Sequence, residues 1–444
     1  MLTRVESFRA GDRGCGALVV EASNRFEKCG YSEGVISRSR LDRRQLVRWR
    51  TSIFTLFLLC GVTFASWASR LPAVKQNLAI DDFEVGILLF AMGVGSLIGV
   101  MSANVVVVRW GAKRGLSVTI VGIAIGLFLA ALGVDALSSY PLTVIGLATL
   151  GLCFGATDVM MNVEAAEVEQ AFERTLMPLF HAFFSLGTVA GAGIGVAMTA
   201  WGVGASWHLG TVAVVWLVIT ANALRSIPLQ AQVTVDPDAA SPARRERLHA
   251  ALEVWRDPRT YAIGAIILGM AFAEGSANDW LTIAVVDGHN GSEATGAVFL
   301  TVFSVAMTVF RAVGGPLVDR IGRVWTLRAL SVAAGVGLVV FILAPNIPIA
   351  FIGVALWGAG ASLGFPLGMS AAADDPRRAA ASVSAAATIG YVAFLCGPPV
   401  LGWVSHQIGI LNTLWIIVGL IAMSGLASGA AKPIAGSKVG AGHH

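Results

Sequence analysis

Inside stretches apolar enough to be membrane helices, this chain places a few side chains that can exchange protons, pair charges or hydrogen-bond a polar ligand. Glu274 is the sharpest case, lying roughly 20 Å into its stretch when counted from Thr260 at ~1.5 Å per residue. A charge in hydrocarbon costs at least ~2.5–3.5 kcal/mol, so such a group must face a cavity, find a partner or sit near an interface. Removal from water favours the neutral carboxyl. That suits a group taking a proton from one side and yielding it to the other; the alternative is a structural carboxylate bonded to a neighbouring helix. Asn278 follows one turn later on the same face, where it can bond a ligand beside the acid or simply pack. Asp279 points elsewhere and is expected to latch an outer gate, with Arg70 as a partner, or to face water.

A second acid, Asp158, shares a helix face with Asn162. It can hold a proton, bond a hydroxylated ligand, or tie its helix to an inner gate through an arginine. Glu164, Glu167 and Glu169 are expected to be exposed and to pair with basic loops, for instance at Arg174. His181 changes charge near neutral pH and reads as a gate bond or a proton-transfer group. Arg311 can snorkel, neutralise Asp158 or grip an anion, and a gate ion pair is the favoured expectation. Trp67, Trp357 and Tyr391 offer rings that stack on the apolar face of a sugar, or that pack. Gly358, Gly360 and Gly364 suggest a bendable or closely packed stretch, and Pro366, Pro398 and Pro399 mark bends.

The elements that position these groups follow from composition. Of 444 residues, 56% are hydrophobic and 13% charged, about half the ~25% charged share of a soluble domain. Mean hydropathy is +0.74. The apolar runs repeatedly approach the ~20 residues a helix needs to cross a bilayer, which excludes a soluble α/β enzyme with short buried strands. Twelve segments are expected, at 50–71, 83–107, 116–134, 140–162, 179–200 and 206–224, then 260–284, 294–317, 328–344, 347–370, 381–403 and 408–429. Cys15, Cys29, Cys60, Cys153 and Cys396 lack ligand spacing, so neither a disulfide framework nor a zinc site is expected. A net charge of +4 is explained by topology and calls for no nucleic acid.

The only long polar stretch between segments is 225–259, expected as a linker with a short surface helix around 242–255. Residues 1–46 and 430–444 are expected as flexible tails, leaving six-segment units at 47–224 and 260–429. Arg109, Lys113, Arg114, Arg225, Arg244, Arg245, Arg247, Arg256, Arg320, Arg323, Arg328, Arg377 and Arg378 occupy loops on one face. The loops 201–207, 285–293, 345–346 and 404–407 on the other face hold no Lys or Arg. Only Arg70 and Lys75 run against this bias. The basic face is therefore expected to be cytoplasmic, with both termini on that side.

The loops after segments 2 and 8 match. One reads Asn104-Val-Val-Val-Val-Arg109-Trp-Gly111-Ala-Lys113-Arg114, the other Gly315-Pro-Leu-Val-Asp319-Arg320-Ile-Gly322-Arg323. A pattern recurring at one place in two six-segment units implies duplication. The second copy resembles the loop signature of the major facilitator superfamily. The first departs from it at Asn104 and Val108, which implies a weaker brace there. Gly155-Ala-Thr-Asp158 through Glu169, Met177-Pro-Leu-Phe-His181, Glu274 to Trp280 and Arg311-Ala-Val-Gly-Gly together resemble the YbjJ-type branch, with fucose-permease-like sugar–proton symporters as relatives. The resemblance spans residues 48–430. It implies an all-α membrane protein of twelve transmembrane helices in two pseudo-symmetric six-helix bundles.

On this reading the protein sits in a bacterial inner membrane and binds protons and one small molecule, with no cofactor and a monomer as working assumption. Glu274 and Asp158 are its expected proton carriers; Asn162, Asn278, Trp67, Trp357 and Tyr391 are expected to touch the cargo. Arg70, Arg109, His181, Asp279, Arg311, Asp319, Arg320 and Arg323 are expected to set the conformation. A sugar or sugar derivative is the leading cargo, and a proton-driven exporter of drugs or metabolites is the alternative. A cavity of clustered Asn, Asp and Trp favours the first; one lined by Phe and Met with a single acid favours the second. A non-transporting receptor is a third class. No metal, nucleotide or nucleophile motif points to an enzyme.

Overall fold

The computed structural model describes residues 42–172, 176–228, 253–375 and 378–433. The tail 1–41, Arg174, most of the linker with its 244–247 basic run, Arg377 and the tail 434–444 lie outside the described residues. Among the described residues, twelve helices are long and apolar enough to cross a membrane. In the first half they are α1 Arg43–Ala68, α2 Asp82–Trp110, α3 Ala112–Ala131, α4 Tyr140–Phe172, α5 Met177–Ala200 and α6 Ala205–Leu224. In the second half they are α7 Pro258–Ile283, α8 Glu293–Ile321, α9 Arg323–Leu343, α10 Ile347–Ala372, α11 Ala379–Ile408 and α12 Ile410–Ala427. The six-plus-six count expected from hydropathy holds, while individual ends move by up to ten residues, as where α4 continues to Phe172.

Local chemistry sets many of these ends. Asp81 accepts from the Glu84 amide at 2.9 Å while its own amide donates to the Glu84 carboxylate at 3.0 Å. This reciprocal cap fixes the start of α2. Ser292 and Asn346 cap α8 and α10 through the Thr295 and Ile349 amides. Glu169, expected in solvent, instead accepts from the Leu176 and Met177 amides at 2.6 and 2.7 Å and caps α5. The matching loops fold alike: Gly111 has φ 79 and ψ 154, Gly322 φ 80 and ψ 158. A side chain is strained at such angles, which explains the paired glycines.

Within the first half, α4 packs on α2 and α3, and α1 on α5; in the second, α9 packs on α10, and α7 on α12. Small residues permit the close approach. A Cβ at Gly151 of α4 would lie 1.9 Å from the Met92 carbonyl oxygen of α2. Between halves, α2 meets α11, α5 meets α8, and α1 touches α7. Helix α10 is interrupted at Ser362–Leu363, splitting it into Ile347–Ala361 and Gly364–Ala372.

The helix ends bearing Arg109, Lys113, Arg225, Arg256, Arg320, Arg323 and Arg378 form one end of the molecule, called the basic end below; the other is the latch end. At the basic end Arg323 donates to Asp374, to Ser370 and to the Ala431 carbonyl, and Arg259 to the same Asp374 at 2.9 Å. Arg259 also donates to the Ala430 and Lys432 carbonyls. Residues 430–432, expected in a mobile tail, are thus pinned to α7 and α9.

Candidate functional site

Between the halves lies a cavity of about 270 Å³. Helix α1 contributes Thr63, Phe64 and Trp67, α2 Met92 and Ser96, α4 Phe154, α7 Asn278 and Asp279, and α11 Phe394. Most of this wall is apolar. Its polar groups are few and specific. Trp67 is 1% exposed, and its indole N–H has no hydrogen-bond partner among the described residues. A buried donor left unpaired costs ~1–3 kcal/mol, so a ligand acceptor offered to it is stabilised. Asp279 is half-buried, expected at a gate with Arg70 but placed in the cavity wall. It has no ion pair or hydrogen bond among the described residues, whereas Arg70 is engaged elsewhere.

Toward the basic end the same faces carry a second tier of groups. Asp158 lies one turn beyond Phe154 on α4, accessible to solvent although far from either helix end. Asn162 donates to its carbonyl at 2.8 Å and to its carboxylate at 3.2 Å, the one-turn pairing expected from spacing. Across the cleft, Asp158 is within electrostatic reach of Tyr391, which is 48% exposed. His181, also exposed, meets the Phe57 ring edge-on at 5.2 Å and senses the Arg311 charge at longer range. Arg311 does not neutralise Asp158. Its Nη2 donates to both Glu274 oxygens at 2.9 and 2.8 Å, and its Nε to the Ser362 carbonyl at 3.0 Å, where α10 is interrupted. Glu274 is therefore held by a cation in the lower tier and does not line the cavity.

Three expectations meet a different geometry. Trp357 is fully buried against Phe303 and Phe341, with ring centroids 5.5 and 6.2 Å away, in the core of the second half. Its N–H has no partner among the described residues, but it does not line the cavity between the halves. Glu164, expected in solvent, is fully buried and accepts from the Trp49 indole at 2.9 Å. Asp319 and Arg320 are exposed without a hydrogen bond or ion pair among the described residues, so the loop tie falls to Arg323. Arg109 is exposed at the end of α2.

The latch end closes the cavity. Lys75, on the connecting helix Leu71–Leu78, pairs at once with Asp82 of the first half and Asp287 of the second. Burial opposes the Lys75 charge, but hydrogen bonds to Asp287 and Asp82 outweigh it and raise its pKa. Ser405 donates to Asp82, Thr282 to the Ala68 carbonyl at 3.2 Å, and His406 lies 3.2 Å from Asp81. Arg70 is 2% exposed and 3.7 Å from Glu293 of the second half. It also donates to His208 at 3.1 Å, to Thr199 at 2.8 Å and to the Val203 carbonyl. Burial lowers its pKa, against the pull of Glu293 and Asp135. These ties join the halves at the latch end, while exposed polar faces line the cleft at the basic end. Sequence reading passed over Asp82, Asp287, Glu293 and His208. A signal was present: Arg70 and Lys75 are the two cations that break the charge bias, and both are latch cations.

The Major Facilitator Superfamily model matches residues 52–299 and 280–434. The chain is 30% identical over 381 residues to an uncharacterized transporter of Sinorhizobium fredii, covering 86% of this chain and 97% of the other. It is 29% identical over 369 residues to an uncharacterized MFS-type transporter of Yersinia pestis, covering 83% and 90%. Among solved structures, a D-xylose–proton symporter superposes with a TM-score of 0.70 at 14% identity, covering 88% of this chain and 98% of the other. The nucleoside transporter NupG gives 0.66 at 15%, covering 86% and 98%.

Proposed function

The chain belongs to the major facilitator superfamily, and on that premise we propose that it is a proton-coupled secondary transporter moving a sugar or sugar derivative by alternating access. The observation that carries the cargo class is the Trp67 indole N–H, buried and without a partner among the described residues, in a cavity wall that also holds Asn278 and Asp279. A sugar has an apolar face for Phe64, Phe154 and Phe394 and hydroxyl edges for this polar corner. The volume of about 270 Å³ lies below the ~300–1,000 Å³ of usual ligand pockets, which suits a small cargo. A D-xylose–proton symporter has the same fold, which is compatible with this reading.

In this reading the two halves rock about the cavity, and the latch end faces the periplasm while the basic end and both termini face the cytoplasm. Asp279 carries the coupled proton. It stands in an apolar wall without a cation, and a carboxylate there avoids its desolvation cost by taking a proton. Asp158 and Asn162 form the exit vestibule toward the basic end, where the accessible carboxylate can hand the proton to water. Glu274 and Arg311 hold the lower tier, and His181 faces them from the first half. Asp319 and Arg320, unpaired among the described residues, would form their brace in the state in which the basic end is closed.

A second reading has its own observation: three Phe side chains and Met92 with one acid in the cavity, the wall expected of an exporter of amphipathic compounds. Thermal stabilisation of purified protein by hexoses, deoxysugars, sugar acids and lipophilic cations, at two pH values, decides between them. A saturable, pH-dependent shift with a sugar-like compound is expected. In Asp279→Asn binding should persist and its pH dependence vanish. Stabilisation by lipophilic cations alone transfers the case to export, and unchanged pH dependence in Asp279→Asn removes Asp279 as the proton site.

A further inference from the structure

A second, larger hollow of about 520 Å³ lies away from the cavity between halves. It lies between α5 and α6 below the short turn that joins them at the latch end, and α1 floors it. Leu59 and Val62 form the floor, Ile194 and Met198 one wall, and Trp207, Val215 and Trp216 the other. Ile194, Trp207 and Val215 are exposed at the surface of the helix bundle, so the hollow opens sideways, toward lipid. Trp201 and Trp207 are 73% and 79% exposed at this end, where aromatic rings mark the headgroup level of a bilayer.

One polar group in this wall stands out. His208, about one turn inside α6, is 2% exposed. Arg70 can only donate, so its bond from Nε makes His208 Nδ1 the acceptor and puts the ring proton on Nε2. That Nε2 donor is buried and has no partner among the described residues. A donor one turn below the headgroup level of an apolar, side-opening groove faces the depth at which phospholipid ester carbonyls lie.

We propose that this groove binds one membrane phospholipid, whose acyl chain fills it and whose ester carbonyl accepts a hydrogen bond from His208 Nε2. The lipid then holds the imidazole from the side opposite Arg70 and keeps Arg70 oriented toward Glu293 of the other half. The groove is distinct from the cargo cavity, and the proposal stands whether the cargo is a sugar or an amphipathic cation.

Full-length protein in detergent, incubated with dioleoyl phosphatidylcholine or its diether analogue, gives the test by counting retained lipids in native mass spectra. Wild-type protein should retain one diester lipid, and the diether roughly two- to tenfold more weakly, the worth of one neutral hydrogen bond. His208→Phe should erase the diester preference. Because that change also strips Arg70 of an acceptor, Val215→Trp provides a second test. It fills the groove from a position 44% exposed to lipid and leaves the His208–Arg70 bond alone. Val215→Trp should lose the retained lipid. Equal retention of diester and diether by wild-type protein, a preference that survives His208→Phe, or undiminished retention by Val215→Trp overturns the proposal.

Discussion

Replacing Glu274 by Gln tests whether the lower tier is a coupled ion pair. Both carboxylate oxygens accept from Arg311 Nη2 at 2.9 and 2.8 Å, with the arginine and glutamate side chains 29% and 18% exposed. Breaking one side of a fully buried pair costs ~3–5 kcal/mol, and an exposed pair contributes ~0–1 kcal/mol. This partly screened pair falls between, so Glu274→Gln should cost about 1–2 kcal/mol. Arg311→Gln should cost more, because it also leaves the Ser362 carbonyl at the α10 break without its donor. The double variant should cost less than the sum of the singles by about 1 kcal/mol or more. Unfolding midpoints of the four proteins in one detergent supply the cycle. At ~2–4 °C per kcal/mol the Glu274→Gln shift is about 2–8 °C. Additivity within ~0.5 kcal/mol would show that the two side chains are not energetically coupled.

Lys75→Gln combined with Glu293→Gln removes two ties between halves at ~0.5–1 kcal/mol each, so opening of the latch end should rise about 5- to 30-fold. Spin labels at Leu137 and Asn346, one on each half, should report longer separations, and an unchanged distribution would deny the latch its role. The pKa of Lys75 is raised above its usual 10.5, so its contribution is full below that value and fades as pH rises through the raised one. The same label distances should therefore hold steady from neutral pH to about 10 and lengthen above it, and loosening near pH 7 would assign the pH response to another group. Gly151→Val places a side chain 1.9 Å from the Met92 oxygen and should destabilise by about 3 kcal/mol or more, whereas Gly193→Val, with nothing within 4 Å and a helix propensity no worse than that of Gly, should be tolerated. Comparable midpoints for the two variants would refute close α2–α4 packing as the reason for Gly151.

Hydropathy and the repeated loop carried the architecture, because a bilayer forces long apolar runs and a duplication leaves two copies of one turn. The backbone agreement of Gly111 and Gly322 follows from spacing that was visible without coordinates. Side-chain roles were less legible. Helix spacing put Asp158 with Asn162 correctly, since that relation is local. It could not say that Arg311 meets Glu274 in place of Asp158, because the choice depends on how α7, α8 and α10 cross. Trp357 and Trp67 look alike in sequence, yet one packs against two rings in a core and the other borders a cavity. Hydropathy ends α4 near 162, which leaves Glu164 and Glu169 expected in solvent. The helix runs on to Phe172, which carries Glu164 into the core and sets Glu169 under α5.

Lys75 touches a carboxylate from each half, and this asymmetry shapes what opening costs. When the halves part at the latch end, Lys75 travels with Asp82, its partner on the same half, and its ammonium keeps a counter-charge throughout. Only Asp287 is left alone, at a site already 36% exposed, where water can replace the lysine at little cost. A simple one-to-one pair would strand two charges at the moment of separation. The shared lysine strands one, at the surface, so the closed state can be tied by ions without a high barrier to leaving it.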